Sequence, residues 1–506
     1  MALQKVLAQI LHQPSRRLGL ATARAGFGWD RTDWRLSLLL AAIATVLLLP
    51  GLGSIGILDP SEGYYAESAR EMVESGDFVT PHLNYEPFYE KPILTDWLTA
   101  ASYKVFGVSE WAARFPSALA AIVLAVSTYW FCRHFLRRRA ALLAALVLLS
   151  TPLFLIIGHL SLTDMPFCVL MSLALFSFAC VLHQAGGSRL LAYTATGLAI
   201  LAKGPLGAVL PASITFAHAA ARSRSLDGAL KAMGRLKVWS GLLIVALIAA
   251  PWYITVSLAT HGAFAREFFL TQNLGRMAGT THTHHNTQLW FYLPYFLGGC
   301  LPWSLLLVPM STLWRRLWSR RHCPTRRAAL LTYSAVWLTL MLAFFSLVPT
   351  KLPTYILPAV PALAAICGVY LDTVIRARRQ LWIPTKAILL TMGVSLTVLL
   401  PLGLKVYYRF HQEGFYRLVR QAEQAQAHVA ILGPTGASAA FYLHRKVSQL
   451  RSREDLKKYL AGTEAKRWLI VSKDRLKDLT ETKRPFSFLT RGRKWNLVSL
   501  ADSTGH

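Results

Sequence analysis

The residues of this chain best suited to chemistry lie between Asp59 and Asp96. Nine carboxylates (Asp59, Glu62, Glu67, Glu71, Glu74, Asp77, Glu86, Glu90, Asp96) face only Arg70 and Lys91 there, in a chain with 25 carboxylates and a formal net charge of +29. Acids gathered this way in a basic protein can take a proton from a hydroxyl or brace positive charge developing on a sugar. Asp59 and Glu62 are the leading candidates. Asp59-Pro60-Ser61-Glu62 also has the pattern of a helix start, with Asp59 as cap and Glu62 three residues beyond it, so capping and catalysis both fit. Further on comes Phe88-Tyr89-Glu90-Lys91-Pro92. Lys91 can hold a phosphate as a point charge, while Glu90 can orient it or ligate a divalent metal (Zn, Mg or Mn) that bridges to it.

More ionisable groups stand at the ends of apolar runs: Asp164, Lys203, Arg276, and Lys351 with Tyr355. A charge beside hydrocarbon is costly and reads as functional, although each alone also fits snorkelling or capping. Together they offer cations for a phosphate and acids for a sugar. His282, His284 and His285 form a second candidate metal set. They lack the i, i+4 spacing of a zinc-binding helix, so an exposed polar loop explains them equally.

These groups must be positioned by membrane helices. The 506 residues are 54% hydrophobic and 16% charged, with a mean hydropathy of +0.38, which excludes an ordinary soluble chain. Apolar runs of roughly 17 to 25 residues, the length that crosses a bilayer as helix, predict spans at 36–52, 115–135, 140–160, 165–182, 190–202, 204–220, 238–258, 289–314, 328–347, 355–371 and 387–404. The fold class expected is an all-α polytopic bundle of about 11 to 13 helices, the fifth and sixth spans being short enough to form one kinked element. Arg and Lys crowd the amino-terminal tail and every second loop: Arg133 with Arg137, Arg138 and Arg139, then 222–237, 315–327 and 376–379. Those loops are expected in the cytoplasm. The acidic segment and the turns at Asp164, Lys203, Arg276 and Lys351 are then expected on the opposite side of the membrane. No secretory leader is read in the first 30 residues, and the six cysteines show no paired spacing.

The expected organisation is a tail (1–35), a membrane catalytic domain (36–404) with its first external loop at 54–114, and a periplasmic α/β domain (405–506). The last shows strand-like runs at 429–432, 468–471, 486–489 and 497–500. It holds 20 Lys and Arg against 9 Asp and Glu, a difference of +11, which suits anionic lipid headgroups. Gly433-Pro434-Thr435-Gly436 lacks the Lys of a phosphate loop and reads as a turn. Within the acidic loop, a helix is expected to start at Pro60 behind Asp59 and to be stopped by Gly76, lying on the membrane with Tyr65, Ala69, Met72 and Val73 in lipid.

Asp59-Pro-Ser-Glu62-Gly-Tyr-Tyr65-Ala-Glu67, Ser75-Gly-Asp77-Phe-Val-Thr-Pro81, Phe88-Tyr89-Glu90-Lys91-Pro92 and Ala113-Arg114-Phe-Pro116 resemble the first external loop of the protein-mannosyltransferase-like membrane glycosyltransferases, in particular the aminoarabinose transferases of lipid A. Thr163-Asp164-Met-Pro166, Lys203-Gly204-Pro205, Trp290-Phe-Tyr292-Leu-Pro294 and Lys351-Leu-Pro-Thr-Tyr355 continue the resemblance through the membrane part. It implies a GT-C fold, a polyprenyl-phosphate-linked sugar as donor, no nucleotide or nucleic acid, and a lipid or glycan acceptor. It further implies a catalytic acid at Asp59 or Glu62 with Asp164, donor-phosphate contacts from Lys91, Lys203, Arg276, Lys351, Tyr355 and Tyr65, and a metal at Glu90. Two positions depart from the aminoarabinose transferase pattern. The acid that precedes the Glu is Ser61 here, and a metal-holding His is Asn273. The alternative function is a transporter or flippase of the lipid-linked sugar, which would place its charges near the midplane.

Overall fold

The computed structural model describes residues 30–223, 225–279, 286, 288–308, 325–377, 399, 401–433, 436–461, 467–482 and 484–500. His282, His284, His285 and most of the expected span at 387–404 lie outside the described residues.

The described part is mostly helical. α1 (Arg31–Leu48) leads into the acidic segment, where α2 (Ser61–Ser75), the short strands β1 (His82–Leu83) and β2 (Glu86–Pro87), and α3 (Leu94–Phe106) fold together. There follow α4 (Glu110–Phe135), α5 (Arg138–Leu149), α6 (Pro152–Gly158), α7 (Asp164–Leu182), α8 (Arg189–Lys203), α9 (Leu206–Arg222), α10 (Leu226–Gly234) and α11 (Val238–Ala259). A π-helical segment (Arg266–Gly275) precedes α12 (Tyr292–Gly299), α13 (Arg326–Leu347) and α14 (Val360–Ala377).

Five helical stretches among the described residues are long and apolar enough to cross a membrane: α4, α7, α11, α13 and Pro353–Ala377. α5 and α6 make a sixth together, bent by 61° at Pro152, which lacks the amide needed to continue α5. The expected fifth and sixth spans are separate helices, α8 and α9, of 15 and 17 residues. Gly204 parts them at φ +75°, a conformation that favours glycine. The expected span at 289–314 starts as α12 (Tyr292–Gly299), is interrupted by a 3-10 turn at Trp303–Leu306, and turns helical again at Leu307 and Val308, the last residues described there.

Trp337, Tyr129, Tyr333, Phe154 and Phe167 fill the interior of the bundle. A Cβ on Gly368 of α14 would lie 2.7 Å from the Ala144 amide of α5, so these helices meet backbone to backbone, as membrane helices do at small residues. α11 instead exposes Trp239, Leu243, Leu247 and Leu258, an apolar surface suited to lipid. Arginines of the loop at 133–139 are anchored by acids of neighbouring helices. Buried Asp33 receives Arg133 at 2.9 Å and Arg138 at 3.0 Å, and Asp372 receives Arg139 at 2.7 Å.

Beyond the bundle, α15 (Glu413–Gln424) buries Phe415, Leu418, Val419 and Ala422, the i, i+3, i+4, i+7 stripe of an amphipathic helix. It packs on a five-stranded sheet in the order β4-β3-β5-β7-β6. β3 (His428–Leu432) runs parallel to β4 (Ser448–Leu450) and β5 (Arg467–Ser472), while β7 (Trp495–Leu500) pairs antiparallel with β5 and β6 (Phe486–Arg491). Helices α16 (Ala437–Leu443) and α17 (Arg453–Ala461) connect the parallel strands. Four strands coincide with the runs read from sequence. The fifth, β4, has three residues, too few to show alternation.

The α2 expectation needs correcting. Gly76 ends the helix at φ +72° as expected, but both faces of α2 are covered by protein. Tyr65, Ala69 and Met72 are buried, and so are Glu67, Arg70 and Glu71 opposite. The helix lies between α3 and α16, so its apolar face meets side chains where the sequence suggested lipid.

Candidate functional site

Glu62 is the most constrained acid. Its Oε1 accepts from Arg114 Nε (2.9 Å) and the Ser161 amide (2.7 Å), and its Oε2 from Arg114 Nη2 (2.7 Å) and the Leu58 amide (3.0 Å). Arg114 spends its remaining donors on the carbonyls of Leu52, Ile55 and Gly56. Both side chains are almost fully buried. Fork-on-carboxylate geometry of this kind is strong and directional, and it leaves Glu62 no free lone pair. Glu62 thus shapes the loop entrance from within. The expected capping role is half correct: Glu62 does reach back to an amide ahead of α2, but Asp59 does not cap it.

Asp59 turns outward to the carboxy-terminal part instead. Its Oδ1 accepts the Ser438 amide at 3.0 Å and its Oδ2 the Ser438 hydroxyl. Burial raises its pKa to about 6, opposed by those two bonds and assisted by nearby Glu62. Each oxygen keeps a second acceptor position. Tyr64 connects this acid to the next group, since its phenol lies within electrostatic reach of both Asp59 and Glu90, and of Arg451 from the loop after β4.

Lys91, Lys203, Arg276, Glu90, Asp164, Tyr65 and Tyr355 come together at the opposite end of the bundle from Asp33. Lys203 Nζ meets Asp164 Oδ1 at 2.6 Å and stands 4.5 Å from the Tyr355 ring centre. Arg276 meets Glu90 at 3.2 Å. Tyr65 lies beside Thr163, within electrostatic reach of Asp164, Glu90 and Tyr355. Lys91 is the centre of the group. Burial lowers its pKa to about 7, with Arg276 and then Lys203 adding to the fall and Glu90 and Asp164 opposing it. Three cations and two carboxylates leave one net positive charge, which matches the single negative charge of a phosphodiester.

Local packing explains the placement. Phe88 and Tyr89 rest on Tyr64 (5.7 Å) and Phe264 (5.9 Å), which fixes the Glu90-Lys91 pair behind them. The π-helical segment turns Asn273 back onto the Phe268 carbonyl (2.7 Å) and presents Arg276 from its end; such segments are frequent at functional sites. Lys351 is a strap. Its ammonium binds the Asn286 carbonyl at 2.6 Å while Thr350 holds the Arg276 carbonyl at 3.2 Å, so Lys351 supports the cluster from the side.

The other acids build a second network. Arg70 binds Glu67 and Glu74 on α2 and the Tyr85 hydroxyl, while the Tyr85 amide donates to Glu71 at 2.8 Å. Burial and adjacent Glu67 push Glu71 up to about 8. Tyr85 and Asn84 both have positive φ in the β1–β2 turn, as a type I′ hairpin requires. That hairpin is the bridge to the α/β part: Asn84 exchanges two bonds with the Val447 backbone and Glu86 pairs with Lys446 at 2.9 Å.

Among the described residues no group of three His, Cys, Asp or Glu side chains could hold a metal ion; Glu90 is engaged by Arg276, and Asn273 points at Phe268. Sequence reasoning missed Ser438 and understated Arg114. The first contact spans 379 residues and has no local signal. The second had one: an arginine at the start of an apolar run, opposite a surplus of acids.

A family model of dolichyl-phosphate-mannose-protein mannosyltransferases matches residues 90–254. The structure superposes on ArnT from Cupriavidus metallidurans, solved with undecaprenyl phosphate bound, with a TM-score of 0.73 and 22% identity over 94% of this chain and 99% of that one. In sequence, the undecaprenyl phosphate-alpha-4-amino-4-deoxy-L-arabinose arabinosyl transferase of Pseudomonas paraeruginosa is 33% identical over 379 residues, 74% of this chain and 65% of that protein. The chain belongs to the aminoarabinose transferase family of GT-C glycosyltransferases. A second named member, from Aeromonas hydrophila, is 34% identical over 66% of this chain and 59% of its own length. The chain thus spans less than two thirds of these two named relatives. An uncharacterized protein of Aquifex aeolicus is 30% identical over 74% of this chain and 70% of that protein. Within this GT-C frame, the acidic segment is the element that carries both Asp59 and Lys91 to the same end of the bundle.

Proposed function

We propose that the protein transfers a sugar from a polyprenyl-phosphate donor to a lipid or glycan acceptor of the cell envelope, at the outer face of a bacterial inner membrane. The observation that carries this reading is the net-positive cluster of Lys91, Lys203 and Arg276 with Glu90 and Asp164, set close to a carboxyl that ionises near neutrality. Charges gathered at one end of the bundle do not suit a transporter, whose site would sit near the midplane.

The donor phosphodiester lies among Lys91, Lys203 and Arg276, with the phenols of Tyr65 and Tyr355 beside it. An acceptor hydroxyl enters from the Tyr64 side, where Arg451 approaches, and Asp59 takes its proton as the oxygen attacks the anomeric carbon. The bond between that carbon and the phosphate oxygen breaks, and the electron pair leaves with polyprenyl phosphate. The departing group gains negative charge, which preorganised cations stabilise more in the transition state than in the ground state. Asp164 keeps Lys203 aimed at the phosphate, and Glu62 holds the loop that carries Asp59.

In this reading the bundle has 11 to 13 membrane helices with its basic loops in the cytoplasm, and the α/β part at 405–506 is periplasmic, its excess of bases drawing anionic acceptors. The test is transfer in proteoliposomes. Protein supplied with a polyprenyl-phosphate-linked aminopentose and lipid A should give a heavier lipid by mass spectrometry together with free polyprenyl phosphate. Sugar crossing the bilayer still joined to its carrier, with no free carrier formed, would contradict it.

A further inference from the structure

The α/β part is tied to the bundle exactly where the acid stands, and the contact is close. A Cβ on Gly63 would lie 2.6 Å from Asp59 Oδ1, 2.9 Å from the Ser438 amide and 3.0 Å from Ala437 Cβ. Only a residue without a side chain lets α16 approach α2 this far. Tyr442, one turn further along α16, accepts the Ile57 amide at 2.8 Å and donates to Glu110 at 3.1 Å. Together with the Asn84–Val447 pair, these contacts fix α16 against the loop that holds Asp59.

We propose that Ser438 is a positioning residue for the transfer reaction: its amide and hydroxyl hold both oxygens of Asp59, so that the α/β part completes the active site by aiming the acid and keeping it ionised. The assignment deepens the proposed function and rests on Asp59 being the proton acceptor there. One hydroxyl and one amide on separate oxygens fix the carboxylate plane and leave the remaining acceptor position of each oxygen open to an incoming hydroxyl. Around Asp59 the titratable neighbours are Glu62 and Tyr64 on α2. The α/β side contributes Ser438 itself, Arg451 near Tyr64, and Gln412, whose amide reaches the Asp59 carbonyl at 3.4 Å. No cation pairs with Asp59 among the described residues. Donation from Ser438 therefore has no substitute as the counterweight to burial.

The experiment compares kcat against pH for the full-length protein, Ser438→Ala, Ser438→Cys and Ser438→Thr, with thermal unfolding measured alongside. Ser438→Ala removes one of two donors to the carboxylate, so the acidic limb should move upward by about one pH unit. Ser438→Cys, a weak donor of similar size, should move it the same way, and Ser438→Thr should restore it. Lower thermal stability with the limb unmoved in both Ser438→Ala and Ser438→Cys would overturn the proposal and leave Ser438 a tether only. Asp59→Asn separates the two layers: if it turns over normally, the reading of Asp59 itself fails, whatever Ser438 does.

Discussion

The two groups assigned opposite protonation states can be tested together through pH. Transfer requires Asp59 as carboxylate and Lys91 as ammonium, and their pKa values are displaced toward each other, to about 6 and about 7. Activity is lost as pH falls through the first and as it rises through the second, so kcat/KM for the donor should follow a bell. With those values roughly 0.6 of the free protein is correctly protonated near pH 6.5 and roughly 0.1 near pH 5 or pH 8, a fall of about sevenfold on either side. A phosphodiester donor does not titrate in this range, and saturating acceptor keeps its own groups out of the ratio. Replacing Lys91 by Arg should abolish the alkaline limb, because a guanidinium stays charged throughout. The assay is initial-rate release of polyprenyl phosphate in one detergent at constant ionic strength. A flat profile across this window, or an alkaline limb that persists in Lys91→Arg, would refute the assignment of the two groups.

Three further outcomes follow from the contacts. Glu62→Ala leaves the Arg114 guanidinium buried without its carboxylate and should cost about 3–5 kcal/mol in unfolding free energy; denaturant titration of stability would show it, and an unchanged midpoint would argue against the buried pair. Lys203→Ala should raise the donor KM, and adding Asp164→Ala should change it far less than two independent losses would, since the 2.6 Å pair acts as a unit. Gly63→Ala should force α16 away from α2 and lower kcat at every pH; wild-type kcat in that variant would mean the close approach is not needed.

The sequence made the architecture legible wherever one physical signal dominated. Apolar run length located α4, α7, α11 and α13, and the clustering of acids marked the segment that holds both Asp59 and Lys91. What escaped was long-range pairing. Amphipathic spacing in α2 could not tell lipid from protein as the cover of its apolar face, because α16 arrives from beyond residue 430. Glu62 and Asp59 looked interchangeable in sequence, yet Arg114 saturates one and Ser438 leaves the other partly open. Lys351 read as a phosphate ligand from its place at a helix end, and the partner it does have, the Asn286 carbonyl 65 residues away, had no local signal. Charge type is written locally, but the partner that decides its role is not.

The most direct test of the account is a single measurement on Asp59→Asn: donor binding and single-turnover transfer in the same preparation. The neutral amide should leave donor affinity within about twofold of wild type, since the cations are untouched, and slow transfer by about a hundredfold or more, the scale of general-base catalysis. Transfer at the wild-type rate would contradict the account. So would loss of donor binding, because it would put Asp59 among the phosphate contacts and leave the reaction without its base.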